Sequence, residues 1–379
     1  MRTIMPAHRL HLLIPFALPA AAEASTALHG LQIPALDKLV ARATLVERVI
    51  GEDFQRTLPH ERWVANRFGV LPAAPAATPS VTAGSSAADE APLAPYMLLA
   101  DGGDPGHASW ACVQPVHVRI AHDHLVLIDP ASLDLSDADA ATLLAIARPL
   151  IEELGVRIEA PQPSRWYLSS DAFGTLAGAS PLRASGRNIE IWLPHEAHTG
   201  ERSRAWMKLQ NEVQMAWFEH PVNEAREARG LPAVNSIWFH AQGVARPVTS
   251  PFARVLSNAA ATRGLALAAQ VATGAPPHTF AELRVNDVAQ AASTSADTLV
   301  ELDPFSVPYI TQDWANWNAA FAALEQDWFA PALAALQAGE LAELGLTLCG
   351  DTGSVTLAVT RGNLRKFWRR RLFASLFIE

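Results

Sequence analysis

Cysteine is scarce in this chain of 379 residues, which contains Cys112 and Cys349 and no other cysteine. Two cysteines cannot form the network of disulfides that holds many small secreted domains together, and they fit a reducing compartment. No stretch approaches the roughly 20 consecutive apolar residues that a membrane-spanning helix requires. We therefore expect a cytoplasmic protein without a membrane span.

Several sequence signatures of enzymes are also missing. The chain has no Gly-Lys-Ser/Thr phosphate loop, no glycine fingerprint of a dinucleotide-binding fold and no Gly-x-Ser-x-Gly nucleophile elbow. Its net charge is −9 and its pI is about 5.8. An acidic chain is poorly suited to general binding of nucleic acid, so we expect no nucleic-acid partner.

What the chain does have is ample material for a folded core. Half of its residues are hydrophobic and eleven are tryptophan. Strand and helix patterns are interspersed along the chain, which predicts an α/β or α+β protein with a mixed central sheet flanked by helices. The N-terminal residues leave two alternatives open. Residues 10–16 read either as a first buried strand or as part of an export signal.

The composition divides the chain into four segments. Residues 1–71 carry a strand and helices, and residues 72–95 are rich in Ala, Pro, Ser, Thr and Gly, which predicts a flexible linker or loop. Residues 96–250 form a central α/β region, and residues 251–379 form a C-terminal α/β region with a basic tail.

Local patterns predict individual elements. Trp206, Leu209, Val213 and Trp217 recur at three- and four-residue steps, which predicts a helix over residues 203–219 with one buried stripe. Helix is also predicted across residues 31–70 and between residues 137 and 154, the latter capped by Ser136. The predicted strands are residues 96–100, 111–120, 125–128, 187–193, 235–240, 298–302, 344–349 and 355–359.

Residues 220–243 concentrate the candidate binding residues: His220, Asn223, Arg226 and Asn235. The fork-shaped guanidinium of Arg226 suits a phosphate or carboxylate, or it belongs to a solvated, charge-rich helix. His220 either contacts an anion or sits at the C-terminal end of a helix. The side chain of Asn223 caps the following helix, and Asn235 bonds to local backbone, if neither contacts a ligand.

This region resembles a bacterial family often called RpfE-like regulatory proteins or, loosely, phosphoglycerate mutases. The resemblance is carried by residues 209–215, 220–223 and 235–238, with support from residues 110–117, 123–127 and 166–168. The resemblance itself does not define a biochemical role for the family.

The shorter pattern His-Pro-Val-Asn-x-x-Arg-x-x-x-Gly-Leu-Pro-x-x-Asn, beginning at His220, is similar to a segment of archaeal-type cofactor-independent phosphoglycerate mutases. That resemblance implies an alkaline-phosphatase-like α/β core, which in this chain keeps few of the family's metal-binding residues. It also implies transfer of phosphate between two hydroxyls of a glycerate, through a phosphoserine and two divalent metals.

Two-metal chemistry needs carboxylates and imidazoles that hold both cations about 4 Å apart. Relative to the family pattern, Asp101, Asp303, Asp313 and Asp351 are the candidate metal ligands. No histidine follows His278, and Thr352 stands where the resemblance leads us to expect histidine. A site without imidazoles binds manganese or zinc poorly, so we expect no cofactor.

We therefore expect a non-catalytic or regulatory relative of the phosphoglycerate mutases. Its partner is expected to be a small phosphorylated or carboxylate metabolite, or another protein. Two alternatives stay open. One is a manganese- or zinc-dependent phosphoglycerate mutase, a phosphotransferring isomerase, with a rearranged site. The other is an interaction scaffold that uses exposed tryptophans and the basic tail.

The tail carries six cations among aromatic residues between positions 361 and 371. One interpretation is contact with anionic lipid, RNA or an acidic protein. The other, which the acidic remainder of the chain favours, is an amphipathic helix. In that helix Phe367, Trp368 and Leu372 pack onto the domain while the arginines face water.

Overall fold

The computed structural model describes residues 8–52, 54–71, 90–170, 176–196, 200–289 and 297–377. The chain divides into two compact units. Unit 1 combines Met1–Asp53 with Thr249–Glu379, and unit 2 is Phe54–Val248. Each unit has a sheet of its own.

The strands and helices are numbered here in chain order. The strands are β1 (His8–Leu18), β2 (Thr44–Ile50), β3 (Ser109–Ala121), β4 (His124–Ile128), β5 (Arg157–Gln162), β6 (Arg165–Ser169), β7 (Ser236–Val244), β8 (Arg254–Leu256), β9 (Ala272–Gly274), β10 (Thr298–Glu301), β11 (Leu341–Gly350) and β12 (Gly353–Thr360). The helices are α1 (Ala24–Ala27), α2 (Pro34–Arg42), α3 (Pro59–Arg67), α4 (Ala94–Ala100), α5 (Asp137–Glu153), α6 (Pro181–Ala184), α7 (Glu201–Trp217), α8 (Pro221–Ala228), α9 (Ala260–Ala268), α10 (Phe280–Ala289), α11 (Ser306–Ile310), α12 (Trp314–Leu324), α13 (Ala330–Ala338) and α14 (Arg361–Leu364).

Unit 1 is built on a mixed seven-stranded sheet of order β2-β12-β11-β1-β10-β8-β9. Strand β1 lies in the middle and runs parallel to β10 and β11, whereas β12 is antiparallel to both β11 and β2. Helices α2, α9, α11 and α13 pack against these strands. Nearly continuous burial from Leu12 to Leu18 is typical of a central strand, and it confirms the predicted strand at residues 10–16.

Unit 2 is built on a five-stranded antiparallel sheet. Its order is β4-β3-β6-β5, and β7 pairs with β3 as well. The long strand β3 therefore has neighbours on both sides. The two sheets and their helices confirm the predicted α/β class with a mixed central sheet flanked by helices.

Helix α7 shows most directly how the sequence produces the core of unit 2. Trp206, Leu209, Val213 and Trp217 are each at most 1% exposed, as their spacing predicted. The Trp217 indole donates a 3.1 Å hydrogen bond to the carbonyl of Leu143 in α5. The buried stripe thus joins α7 to α5, and Ser136 caps α5 as expected.

Three of the strands and helices predicted before the tail were wrong. Residues 44–50, expected to be helical, form strand β2, because β12 pairs along their whole length. Residues 96–100, expected to be a strand, lie in helix α4, where Pro95 occupies the first turn. Residues 187–193, expected to be a strand, contain a 3₁₀ turn at Glu190–Trp192. The carbonyls of Ile191, Trp192 and Leu193 accept hydrogen bonds from the Arg56 guanidinium.

The two compact units do not coincide with the four segments proposed from the sequence, because the two divisions rest on different properties of the chain. The segments mark changes in composition, whereas the units show which residues pack together, and residues 8–52 pack with the C-terminal part. Of the proposed linker, residues 72–89 lie outside the described residues, and α4 begins at Ala94. None of the helices in the described ranges is both long and apolar enough to cross a membrane.

Candidate functional site

The motif beginning at His220 opens helix α8. His220 is the N-cap residue, and its Nδ1 accepts a 3.2 Å hydrogen bond from the backbone N–H of Val222. Pro221 occupies the first helical position, where its missing N–H costs nothing. His220 therefore lies at the N-terminal end of a helix, and both the expected C-terminal location and the expected N-cap role of Asn223 were wrong.

Asn223 instead bridges two segments of backbone. Its amide nitrogen donates to the carbonyls of Trp217 (3.0 Å) and Val234 (2.9 Å), and its amide oxygen accepts from the N–H of Val234 at 2.8 Å. The residue is 6% exposed. Asn223 thus fixes the end of α7 against the start of β7.

Arg226 is fully buried, with 0% of its surface exposed. Its guanidinium donates to three backbone carbonyls: Leu133 at 2.5 Å, Asp134 at 3.1 Å and Pro232 at 3.0 Å. A buried cation is tolerated only when its donors are satisfied, and these carbonyls satisfy it. The predicted solvated helix face is therefore wrong for this residue.

Asn235 performs a similar task at the edge of the unit 2 sheet. Its side chain accepts from the N–H of Val118 and donates to the carbonyl of the same residue, both at 2.8 Å. All four motif side chains thus bond to the protein's own backbone, which gives each a structural role. Ligand binding by His220, Asn223, Arg226 and Asn235 stays a prediction from the sequence.

The first metal candidate, Asp101, lies in unit 2 at the end of α4. The guanidinium of Arg165 donates two hydrogen bonds to its carboxylate, at 2.6 and 2.7 Å, and the Tyr167 hydroxyl donates a third at 2.5 Å. The side chain of Asp101 is 2% exposed. The expected strand-then-acid arrangement is wrong here, because a helix precedes Asp101 and a cation neutralises it.

The other three metal candidates lie in unit 1. Asp303 follows β10 and accepts hydrogen bonds from the N–H and hydroxyl of Ser306. Asp313 caps α12 and accepts from the N–H and side-chain amide of Asn316. Asp351 lies in the turn between β11 and β12. Since β1 separates β10 from β11 and runs parallel to both, Asp303 and Asp351 follow the carboxyl ends of strands on either side of β1.

This donor set does not fit a two-cation centre. Such a centre needs several carboxylates or imidazoles around each ion. In the part of the chain that the structure describes, no three side chains of the types His, Cys, Asp and Glu come together as a metal site.

Unit 2 also contains a buried polar cluster that the sequence analysis missed. Glu90 accepts hydrogen bonds from the N–H groups of Arg56 and Thr57 and from the Thr57 hydroxyl. Burial raises the pKa of the neighbouring Glu61 carboxyl to about 7, against hydrogen bonds from Leu58 and Ser180 that lower it. Glu61, Glu90 and Arg56 line a cavity of about 10 Å³. That volume holds about one water molecule and excludes a metabolite.

Two buried histidines have shifted proton affinities as well. Burial, together with the charge of Arg183, lowers the pKa of His60 to about 3. Burial and the charge of Arg165 lower the pKa of His240 to about 3. Both imidazoles are therefore neutral near pH 7.

A larger concavity lies on the surface of unit 2, between α5 and α7. We call it the α5–α7 groove. Its volume is about 760 Å³, and its lining residues are Leu150, Glu153, Arg204, Met207, Lys208, Asn211, Glu212 and Met215. Met207 is 49% exposed and Met215 is 72% exposed. Helix α7 thus buries its tryptophan face and presents methionines on another face.

The sequence pattern that predicted the buried stripe of α7 also contained the signal for this groove. A second set of residues has the same three- and four-residue spacing but lies on a different side of the helix from the buried stripe: Arg204, Met207, Lys208, Asn211 and Met215. The polar cluster gave no comparable signal, because Arg56, Glu61 and Glu90 come together only through the tertiary fold.

Comparison with known proteins finds no matching family model and no matching curated protein. Among solved structures, the PH0037 protein from Pyrococcus horikoshii is 11% identical, over 94% of this chain and 88% of that one, with a TM-score of 0.49. A cofactor-independent phosphoglycerate mutase from Thermoplasma acidophilum is 15% identical, over 98% and 95%, with a TM-score of 0.44. At these levels neither likeness supports an argument about activity. Membership of the RpfE-like family stays a prediction.

Proposed function

We propose that this chain is a non-catalytic protein that acts by binding another protein through the α5–α7 groove. The observation that carries the proposal is the second face of α7. Met207 and Met215 stand two turns apart along one side of the helix and are largely exposed. Methionine is flexible and polarisable, which suits it to receive apolar side chains of a partner.

The groove fits an amphipathic helix from the partner. Helix-in-groove recognition places apolar anchors at three- and four-residue spacing into a channel of this kind. The charges at the groove are of both signs, because Arg204 and Lys208 lie among Glu153 and Glu212. A helix with an apolar stripe and mixed charges beside it complements such a surface.

The motif residues and the carboxylates support a binding role in a second way. Arg226 and Asn223 direct their polar atoms to backbone, and Asp101 is paired with Arg165. These side chains stabilise unit 2, and Asn223 fixes the C-terminal end of α7. On this proposal the motif residues stabilise the part of unit 2 that forms the groove.

A photo-crosslinking residue at position 215 tests the proposal in cells. Ile120 is the matched control position, because it is 80% exposed and belongs to the same unit. We expect an adduct with a different protein at position 215 and none at position 120. We also expect the crosslinked peptide, once synthesised, to bind the purified chain. Equal adducts at both positions, no adduct, or adducts only between copies of this chain contradict the proposal.

A further inference from the structure

The basic tail has an arrangement opposite to that of an ordinary amphipathic segment. Phe367 is 71% exposed, Trp368 is 66% exposed and Leu372 is 70% exposed. The predicted amphipathic helix, with these three side chains packed inward, is therefore wrong. Helix α14 ends at Leu364, and the following residues continue without an α-helix.

Hydrogen bonds between arginines and backbone hold the tail in this orientation. Arg42 donates to the carbonyls of Phe367, at 2.9 Å, and of Arg369. Arg369 donates in return to the carbonyl of Ala43 at 3.3 Å. Arg48 of β2 donates to the carbonyl of Ser375 at 2.9 Å. The tail is thus attached along β2 by its backbone, which leaves the large apolar side chains outside.

Buried aromatic contacts fix the far end of the tail. Phe373 is 4% exposed and packs edge-on against Phe321 of α12, with ring centroids 5.5 Å apart. Leu376 is 1% exposed. Phe373 and Leu376 thus anchor the tail in the core of unit 1. Phe367, Trp368 and Leu372 are exposed although the segment that carries them is held in place.

Strand β2, which is hydrogen-bonded to the tail through Arg48, also carries exposed apolar side chains. All residues of β2 are exposed, including Val46 at 56% and Ile50 at 65%. We call the exposed side chains of Val46, Ile50, Phe367, Trp368 and Leu372 the tail surface. A single exposed apolar residue needs no explanation, but a cluster of them indicates a binding surface.

A cationic cleft lies beside the tail surface. Its volume is about 340 Å³, and it is lined by Ala41, Ala43, Thr44, Leu45, Arg369, Arg370 and Arg371. Nη1 of Arg371 is buried and has no hydrogen-bond partner among the residues that the structure describes. The sequence has no acidic residue between Asp351 and Glu379, although the whole chain carries a net charge of −9. The cleft is therefore suited to an anion.

We propose that the tail surface docks on an anionic lipid bilayer, with lipid phosphates in the arginine cleft. Tryptophan and phenylalanine beside arginine are typical of segments that lie in the membrane interface. Clustered arginines add attraction to anionic headgroups. Single-stranded RNA also binds aromatic and basic residues, but it does so by stacking. Leu372, Val46 and Ile50 cannot stack on bases, whereas they can enter the acyl boundary of a bilayer.

Sedimentation of the full-length chain with vesicles tests the proposal. One set is phosphatidylcholine alone, and the other contains phosphatidylglycerol as well. The test variant is Trp368→Ala/Arg370→Gln. The control is Arg119→Gln/Ile120→Ala, which removes an exposed cation and an exposed apolar side chain from unit 2. Thermal unfolding checks that both variants are folded.

We expect the wild type to prefer the phosphatidylglycerol vesicles and to be released by high salt. The test variant is expected to bind at least about tenfold more weakly, and the control to bind within about twofold of wild type. No preference for anionic vesicles, or equal losses in both variants, overturns the proposal. So does displacement by inorganic phosphate beyond that by chloride of the same ionic strength, which identifies a free-phosphate site. Tighter binding to single-stranded RNA than to vesicles overturns it as well.

Discussion

Nη2 of Arg226 lies 2.5 Å from the carbonyl oxygen of Leu133, a residue that precedes α5 in the chain. The same guanidinium reaches Asp134 and Pro232. One side chain therefore ties the segment before α5 to the segment before β7. This relationship explains the presence of a fork-shaped cation without requiring a ligand for it.

The first prediction concerns this arginine. Arg226→Met removes the five donors of a fully buried side chain that bonds to three backbone carbonyls, of which that of Leu133 belongs to a buried residue. We expect the free energy of unfolding to fall by about 3 kcal/mol, because these acceptors lose their partners. Urea unfolding measures the change. Arg229→Met, three positions along the chain and 57% exposed at its side chain, should change it by less than about 0.5 kcal/mol. Equal effects of the two substitutions contradict the structural role.

The second prediction concerns Asn223. Asn223→Ala removes three hydrogen bonds that join the end of α7 to the start of β7. A loss of about 2 kcal/mol is expected, since the N–H and carbonyl of Val234 lose their partner. The carbonyl of Trp217 keeps its hydrogen bond from the N–H of His220. Hydrogen exchange should show faster exchange at Val234, whose N–H donates to Asn223. Unchanged exchange at Val234 is the result that argues against this role.

The third prediction separates the two faces of α7. Leu209→Ala opens a cavity at a residue with 0% exposure, and it should cost about 3 kcal/mol in urea unfolding. Met215→Ala, at a residue 72% exposed, should cost no more than about 0.5 kcal/mol. The same Met215 substitution should weaken binding of the partner peptide identified by crosslinking. A large stability loss at Met215 contradicts the assignment of this face to a partner.

The fourth prediction concerns pH. The pKa of Glu61 rises from 4.5 to about 7 on folding, so the folded state binds the proton more tightly. The stabilisation is complete below pH 4.5 and is lost as the pH rises through about 7. Relative to Glu61→Gln, the wild type should therefore lose up to about 3 kcal/mol across that range. Urea unfolding at several pH values measures the difference, and a difference independent of pH contradicts it.

His60 and His240 change the free energy of unfolding with pH in the opposite direction from Glu61, and they do so equally in the wild type and in Glu61→Gln. Their pKa values fall from 6.5 to about 3 on folding, so their stabilisation is present above pH 6.5 and lost as the pH falls towards 3. Comparison with Glu61→Gln at each pH isolates the glutamate, because both proteins keep these histidines.

The sequence predicted those elements whose pattern is long and periodic. The stripe from Trp206 to Trp217 predicted one helix, which is confirmed. The apolar run at residues 10–16 left a buried strand and an export signal open, and it forms strand β1. Residues 96–100 are too short and too uniformly apolar to distinguish a strand from a helix. β2 has no buried face, since all seven of its residues are exposed, so periodicity gave no sign of its pairing with β12.

The functional residues were harder to predict for a related reason. The sequence predicted a ligand-binding role for the polar residues His220, Asn223, Arg226 and Asn235, and that role stays a prediction. Which atoms they contact depends on Leu133 and Val118, which lie about a hundred positions away and carry no signal of that contact. The orientation of Phe367 and Trp368 likewise depends on Arg42, near the other end of the sequence.

The proposed binding role predicts that the chain does not transfer phosphate through paired cations. A mutase assay with 3-phosphoglycerate and added manganese tests it most directly, alongside an archaeal-type mutase as positive control. We predict a rate equal to that of the blank without protein. Turnover that is lost in Asp303→Asn or Asp351→Asn would contradict the claim.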